Sequence, residues 1–402
     1  MGAPCDTLTM PEALTIRTFR RLDELGELST AWDELLLEYP LATTFSSMEW
    51  LTSWWQSFGD GRQMLVLALF DSESHLVGVA PLSIVRERVG PFSLRALRLM
   101  GDGSGDSDNL DLPVRPGFEK SFAEAVLQYL DQRRHEWDLC QLNTMPLGSP
   151  VARAIVELLK PSWVLFEYSS VCSSIPLPDG WDEYLQRLSS EDRKNLERYR
   201  RRLEKRYATR IYRCTRESEL PVCLEALFRL HQLRWQNAGE TGSFASEERR
   251  EFYQRLSRRL LDRSQLELWV IELDGAIVAA QFAFRFRSTV FQLQEGYDPE
   301  RASDRVGFIL RGAAIKQLIS EGVQVYDFLG GTDPYKTRWG TQVAHYRNLH
   351  FAPSLSLGGV LLRSIHYANK SKSWLRGVLP GGAWSLLHRI NVTLKGERKA
   401  KD

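Results

Sequence analysis

The chain has 402 residues, which is more than a single hydrophobic core usually supports, so its length favours two domains. Its hydrophobic fraction of 43%, charged fraction of 26% and formal net charge of +1 are ordinary for globular proteins and exclude a general attraction to nucleic acid. No apolar run approaches the roughly 20 residues of a membrane span, and no signal-peptide pattern is present. We therefore expect a cytoplasmic protein.

The cysteine pattern argues against disulfide bonds and against a structural zinc site. They are odd in number, widely spread and contain no Cys-x-x-Cys pair, so neither a disulfide framework nor a structural zinc site is supported. We expect free cysteines and no bound metal. The five positions are Cys5, Cys140, Cys172, Cys214 and Cys223.

In the N-terminal half, residues 64–70 and 76–85 have the composition of two strands joined by a turn. An amphipathic helix over 122–134 and a strand over 137–143 follow. The loop 101–111 alternates oxygen-bearing side chains but lacks the closing glutamate of a calcium loop. We expect either a cleft-facing loop, whose acids attract a cationic amine, or an ordinary connection.

The C-terminal half repeats this order with little identity. Its predicted elements are strands over 266–273 and 276–285 joined by the hairpin dipeptide Asp274-Gly275, a strand over 290–297, a helix over 307–321 and a strand over 323–329. The sequence therefore predicts a duplicated α/β unit. Pro176 and Pro178 place its join near 174–179, in extended chain.

Two basic segments lie outside the repeat. The helix predicted over 191–210 could bind nucleic acid, including a tRNA, but its interspersed acids also fit an exposed, salt-bridged helix. The tail after Pro353 mixes basic residues with tryptophan and leucine. This composition is consistent with peripheral contact with an anionic membrane surface, with a helical flap or with a disordered end.

The segment 326–340 concentrates titratable, aromatic and glycine residues after a predicted strand. Gly330-Gly331 and Asp333-Pro334 end that strand in a turn. We expect Tyr335, Lys336 and Trp339 to be displayed from a loop and not packed in a core.

Residues in this half resemble a known family. The motifs that carry the resemblance, over roughly 180–345, are Arg234-Trp235, Gly242-Ser-Phe-Ala245, Asp274-Gly275, Glu295-Gly-Tyr-Asp-Pro299, Gly307, Tyr326-Asp-Phe-Leu-Gly330, Tyr335-Lys336 and Trp339. They are similar to the Fem-like, BioF2-like branch of the GNAT acyltransferases, which includes the CelD-like proteins of cellulose biosynthesis. The N-terminal half resembles the family more weakly.

The resemblance implies an α/β (α+β) fold of tandem GNAT-like domains, each a mixed sheet flanked by helices. Their expected bounds are 1–175 and 176–352, followed by a basic amphipathic tail over 353–402. It also implies an acyl donor, usually acetyl-CoA, and an amine acceptor such as a sugar, a polysaccharide precursor or another small molecule. The donor would bind where a strand splays before a helix N-terminus. Mapped onto this sequence, its contacts are Gln292, Leu293, Gln294, Arg305, Val306 and Gly307.

The sequence leaves open whether the donor is an acyl-CoA. The segment 301–307 has one glycine and an additional acid, Asp304, where the usual GNAT pattern has two small residues. Fem-type relatives use aminoacyl-tRNA on the same fold, and a non-catalytic scaffold in polysaccharide synthesis is a third reading. No nucleophile elbow or Walker loop is present, which excludes the common hydrolase and nucleoside-triphosphatase readings.

Acyl transfer to an amine needs a base, an acid for the leaving thiolate and a stabiliser of the developing charge. Glu295 or Asp327 is the expected base, Tyr335 the acid and Lys336 the stabiliser. Each has a structural alternative. Glu295 could pair with Arg285 or Arg287, Asp327 could anchor the glycine turn, Tyr335 could pack over that turn, and Lys336 could be solvated.

Overall fold

The structure is a computed structural model that describes residues 7–9 and 14–378, with side chains from 14 to 371. Thirteen strands of these residues form one mixed sheet in the order β1-β2-β3-β4-β5-β6-β13-β7-β12-β11-β10-β9-β8. The strands are β1 (Thr7–Thr9), β2 (Thr15–Phe19), β3 (Arg62–Phe70), β4 (Leu76–Val89), β5 (Phe92–Leu99), β6 (Leu139–Pro146), β7 (Trp163–Pro176), β8 (Thr209–Arg213), β9 (Leu266–Leu273), β10 (Ala276–Phe286), β11 (Thr289–Tyr297), β12 (Val325–Gly330) and β13 (Gln342–Pro353).

Helices cover the sheet. They are α1 (Ser29–Glu38), α2 (Met48–Phe58), α3 (Glu119–Gln132), α4 (Pro150–Leu158), α5 (Trp181–Arg187), α6 (Ser190–Arg206), α7 (Leu220–Asn237), α8 (Glu247–Asp262), α9 (Val306–Ser320), α10 (Pro334–Thr337) and α11 (Leu357–Val378). Phe282 of β10 packs in the core that contains Phe228 of α7, whereas Ala279 packs with Ile309 of α9. Since side chains alternate along a strand, α7 and α9 lie on opposite faces of the sheet.

The predicted duplication is confirmed. β3, β4, β5, α3 and β6 have the same order as β9, β10, β11, α9 and β12, and each set ends in a parallel pair, β5 with β6 and β11 with β12. Asp274 and Gly275 both have positive φ, 49° and 85°, as the predicted hairpin turn requires.

The last strands of the two halves are exchanged. β13, from the C-terminal half, pairs with β6 of the N-terminal half. β7, from the N-terminal half, pairs with β12 of the C-terminal half. β7 and β13 also pair with each other, antiparallel, from Trp163 opposite Pro353 to Ser174 opposite Gln342. The predicted join near 174–179 therefore begins inside the sheet, at the end of β7.

Several predicted bounds differ from the observed ones. Helix α6 ends at Arg206 because Tyr207 is extended, with φ −139° and ψ 149°, and the chain then enters β8. Strand β12 begins at Val325, two residues later than expected. Residues 357–378 of the predicted tail form α11, and 379–402 lie outside the described residues. Among the described helices none is long and apolar enough to span a membrane.

Candidate active site

The parallel pair of the C-terminal half opens into a cleft. β11 and β12 are paired only from Thr289 opposite Val325 to Phe291 opposite Asp327. A bulge at Leu293 shifts the register between β10 and β11 at the same level. Beyond Phe291 the backbone amide and carbonyl groups of β11 that face β12 have no strand partner in the described part of the chain. They are free to pair with an extended ligand.

The first of two cavities lies beside this cleft, at the Glu295–Tyr297 end of β11, and has a volume of about 280 Å³. It runs from β11 to the start of α9 and is closed by α7, α10 and the segment after α10. Its walls are Arg234, Ala280, Gln281, Glu295, Gly296, Tyr297, Ala302, Arg305, Val306, Gly307, Phe308, Arg311, Tyr335, Arg338 and Trp339.

At one end of this cavity, helix α9 begins without a side-chain cap. The first backbone amides of a helix have no acceptor within the helix, so the uncapped turn at Val306, Gly307 and Phe308 favours an anion. Arg305, just before it, is exposed and held in the left-handed region with φ 58°. A Cβ at Gly307 would have Tyr297, at 3.7 Å, as its nearest neighbour, so protein packing does not require the glycine.

Asp304, the additional acid of this turn, faces away from the cavity. Its carboxylate is 4% exposed and accepts hydrogen bonds from Arg206 at 2.8 Å and from the Tyr207 hydroxyl at 3.2 Å. The acid therefore anchors the turn to α6 and adds no negative charge where an anion would bind.

The second cavity, also about 280 Å³, lies between the separated ends of β11 and β12. The N-terminal half contributes part of its wall through the loop 101–111, as predicted for a cleft-facing loop. The lining residues are Gly105, Asp106, Asp108, His231, Arg234, Trp235, Gln292, Leu293, Gln294, Glu295, Phe328, Leu329, Gly330, Asp333, Tyr335 and Lys336.

The two cavities share three wall residues, Arg234, Glu295 and Tyr335. Oε1 of Glu295 accepts a hydrogen bond from Arg234 at 3.2 Å, and Oε2 pairs with Arg311. The alternative pairing of Glu295 with Arg285 or Arg287 is wrong, because these arginines contact Glu321 and the carbonyls of α1 instead.

Gly296 makes this junction possible. A Cβ at Gly296 would lie 2.3 Å from the backbone nitrogen of His231, so only glycine lets α7 approach β11 this closely. The close crossing brings Arg234 of α7 to Glu295. On the other side, buried Arg311 packs among Phe328, Tyr335 and Trp339, with ring centres 5.1, 5.2 and 5.7 Å from its guanidinium carbon.

Comparison with known families identifies the domain that contains these residues. Residues 190–337 match the profile of the acetyltransferase (GNAT) domain. The C-terminal half thus carries a GNAT domain of the acyltransferase superfamily. No curated protein matches the sequence at a significant level.

Two solved structures resemble the fold around the GNAT domain. The crystal structure of FemX is 13% identical, with a TM-score of 0.55 over 84% of this chain and 98% of that one. A conserved protein of unknown function from Bacteroides thetaiotaomicron is 12% identical, with a TM-score of 0.51 over 83% and 97%. At such low identity the likeness shows the fold alone.

The residues predicted to bind the donor lie in both cavities. Gln292, Leu293 and Gln294 follow the splay point of β11 and line the second cavity, whereas Arg305, Val306 and Gly307 line the first. The predicted donor contacts thus lie along one strand and one helix start, on the two sides of Glu295.

Tyr335 lies at the junction of the cavities and is 37% exposed. Burial of its hydroxyl, with the negative charge of Glu295 adding to it, raises the pKa of Tyr335 to about 12. The phenol therefore carries its proton at neutral pH.

Lys336 and Trp339 correct the prediction of a displayed loop, since they are only 3% and 2% exposed. The short helix α10 turns both side chains inward. The Lys336 ammonium donates to the carbonyls of Phe328, Gly330 and Gly331 at 3.2, 2.6 and 3.3 Å. Burial lowers the pKa of Lys336. The predicted role in charge stabilisation remains a prediction, but the contacts show that Lys336 anchors the β12 loop.

Asp327 lines neither cavity. Its carboxylate accepts a hydrogen bond from the Leu329 amide at 2.7 Å, the turn-anchoring contact expected as its alternative. Burial raises the pKa of Asp327 to about 6, and the nearby Asp108 carboxylate adds to the effect. Asp108 itself accepts from the Gly330 amide at 2.9 Å and so ties the N-terminal loop to the same turn.

Sequence reasoning missed two site residues. Arg311 lies in the apolar helix α9, where a single arginine among buried positions was the available signal. His231, in the middle of α7, is 2% exposed and lines the second cavity. Its Nε2 accepts from the Trp235 indole at 2.9 Å, while buried Nδ1 has no partner in the described chain. Burial lowers the pKa of His231 to about 4.

Proposed function

We propose that this protein is an N-acyltransferase that moves an acyl group from an acyl-CoA, in the simplest case acetyl-CoA, to an amine of a sugar, a polysaccharide precursor or another small molecule. One observation carries the proposal. Two cavities, one of which ends at an uncapped helix start, meet at Glu295 and Tyr335.

The first cavity fits the donor. The pyrophosphate of coenzyme A would accept hydrogen bonds from the amides at the start of α9, aided by the exposed guanidinium of Arg305. The amide groups of the pantetheine arm would pair with the open edge of β11 between Tyr297 and Glu295, in the wall of this cavity. This path leads the thioester to the junction with the second cavity.

The second cavity fits the acceptor. Its wall includes the carboxylates of Asp108 and Asp333 and the indole of Trp235. Such a lining suits a polar molecule that carries a cationic amine and hydroxyl groups better than an apolar one. Because Asp108 comes from the N-terminal half, that half takes part in acceptor selection.

The chemistry is a direct transfer between the two bound substrates. Glu295 accepts the proton of the acceptor ammonium, and the amine nitrogen then forms a bond to the thioester carbonyl carbon. The tetrahedral intermediate collapses with cleavage of the carbon–sulfur bond, and the Tyr335 hydroxyl gives its proton to the leaving thiolate. The nitrogen passes its remaining extra proton to the Tyr335 phenolate, which restores the phenol, and Glu295 releases its proton to solvent. Arg234 and Arg311 hold the Glu295 carboxylate in position.

Calorimetric titration with acetyl-CoA tests the donor. We expect saturable binding by the wild type and at least tenfold weaker binding by Gly307→Val, whose methyl groups would cover the helix amides. Gly26→Val is the matched control, since a Cβ at either glycine meets no close neighbour. Equal binding by both variants, or none by the wild type, would overturn the assignment of the donor cavity.

The same titration separates the alternatives. Binding of an aminoacyl-tRNA in place of acetyl-CoA would indicate a Fem-type transferase, and binding of neither would indicate a scaffold. Ion pairs on the surface of α6 support the first assignment, although the helix keeps eight basic residues against four acidic ones. Arg200 pairs with Glu204, Arg201 with Glu197, and Asp192 with Arg338, as expected for an exposed, salt-bridged helix.

A further inference from the structure

Helix α11 presents an exposed apolar stripe. Leu357, Val360, Ser364 and Tyr367 are spaced by three or four residues and therefore lie along one face. Leu357, Val360 and Tyr367 are 44%, 51% and 59% exposed, and Leu355, just before the helix, is 98% exposed. Of the twelve large hydrophobic side chains exposed in the described chain, five lie between residues 355 and 367. Leu355, Leu357, Val360 and Tyr367 thus form a concentrated patch, unlike the scattered apolar residues of an ordinary surface.

The opposite face of α11 is fixed to the sheet. Leu362 is 3% exposed and packs with Leu139 and Ala352, and the His366 ring stacks on Phe166 at 4.1 Å. A Cβ at Gly358 would lie 1.9 Å from the Asp138 carbonyl oxygen, so the helix start touches the backbone before β6. These contacts direct the apolar stripe away from the protein.

Charge is strongly uneven in this part of the sequence. No acidic residue occurs between Asp333 and Glu397. Residues 353–402 contain nine basic and two acidic residues, a net charge of +7 in a chain whose total is +1. Arg363 and Lys370, seven residues apart, lie on the same side of α11 next to the stripe.

We propose that α11 docks the protein on the surface of an anionic lipid bilayer. The stripe would enter the boundary between headgroups and acyl chains, and the basic residues would contact anionic headgroups. Exposed leucine, valine and tyrosine side chains favour a lipid bilayer over nucleic acid as the partner, because binding to nucleic acid would require only the basic residues. The helix lies on the bilayer and does not span it, and the docking does not depend on the proposed acyl transfer.

Flotation of the purified full chain with vesicles tests the docking. We expect binding to phosphatidylcholine vesicles that contain a third of phosphatidylglycerol, little binding to pure phosphatidylcholine, and weakening as salt is raised. Absence of binding to the anionic vesicles at low salt would overturn the proposal, as would binding of duplex DNA or tRNA without binding of vesicles.

A matched pair of variants locates the contact. Val360→Asp places a charge in the stripe and should weaken vesicle binding roughly tenfold or more. Val222→Asp makes the same change at a valine that is 56% exposed on α7, and it should bind as the wild type does. Equal binding by both variants would show that the basic segment alone attracts the vesicles and would overturn the role of the stripe. Circular dichroism checks that both variants are folded.

Discussion

The Glu295 carboxylate forms an ion pair with Arg311 at the point where the two cavities meet, and Arg311 is 4% exposed. Glu295→Gln keeps the shape of the side chain but removes its charge and its ability to take a proton. We expect kcat to fall by about 10² to 10⁴ while the affinity for acetyl-CoA is retained. Stability should also fall, by roughly 1–3 kcal/mol, because the buried guanidinium loses its counter-charge.

Glu321→Gln is the control for this variant. Glu321 is also a partly buried carboxylate paired with two arginines, Arg213 at 3.0 Å and Arg285 at 3.5 Å, but it lines neither cavity. Its replacement should affect stability and leave kcat unchanged. Steady-state kinetics and thermal unfolding measure the two effects, and a similar kcat for both variants would remove Glu295 from the chemistry.

Tyr335→Phe removes the proposed proton donor and little else. We expect kcat for acetyl-CoA to fall by about ten- to a hundredfold, with unchanged stability, because the side chain is partly exposed. The loss should shrink for a thioester with a more acidic thiol, since that thiolate leaves without protonation. Tyr367→Phe, on α11, is the control. A loss independent of the leaving group would contradict the acid role.

Lys336→Met removes the ammonium but keeps most of the side-chain volume. The carbonyls of Phe328, Gly330 and Gly331 would lose their donor inside the protein. We expect a loss of about 1–3 kcal/mol in unfolding free energy, measured in urea. If the charge also stabilises the transition state, kcat falls under conditions where the variant is folded and binds acetyl-CoA normally. Full retention of activity would rule out that second role.

Local signals predicted most elements, because they act within a few residues. The dipeptide Asp274-Gly275 favours a hairpin turn by its own backbone preferences, and the bounds predicted for β9 match those observed, Leu266–Leu273. The burial of Lys336 was not predictable in this way, since it depends on carbonyls that only the folded β12 loop brings together. The arginine partners of Glu295 come from α7 and α9, 61 positions earlier and 16 later. The alternation of apolar residues and the spacing of motifs along the sequence carry no information about such distant partners.

Asp327 makes stability depend on pH. Its pKa is raised to about 6 in the folded protein, above the value of roughly 3.9 in an unfolded chain. The folded state therefore binds more protons between about pH 4 and pH 6, and stability falls as pH rises through this window. Asp327→Asn should remove that part of the slope and stabilise the protein above pH 6 by about 1–3 kcal/mol. Unfolding in urea from pH 4 to pH 7 tests this, and an unchanged slope would contradict it.

The exchange of β7 and β13 predicts that the two halves cannot fold separately. A chain of residues 1–176 lacks β13, which pairs with β6, and a chain of residues 177–402 lacks β7, which pairs with β12. Each half would expose a central strand edge of the sheet, a site for aggregation. We expect neither half to unfold cooperatively alone, whereas co-expression should restore a complex with the thermal transition and acetyl-CoA affinity of the full chain. A cooperative transition in either isolated half would show that the exchanged strand is dispensable for that half.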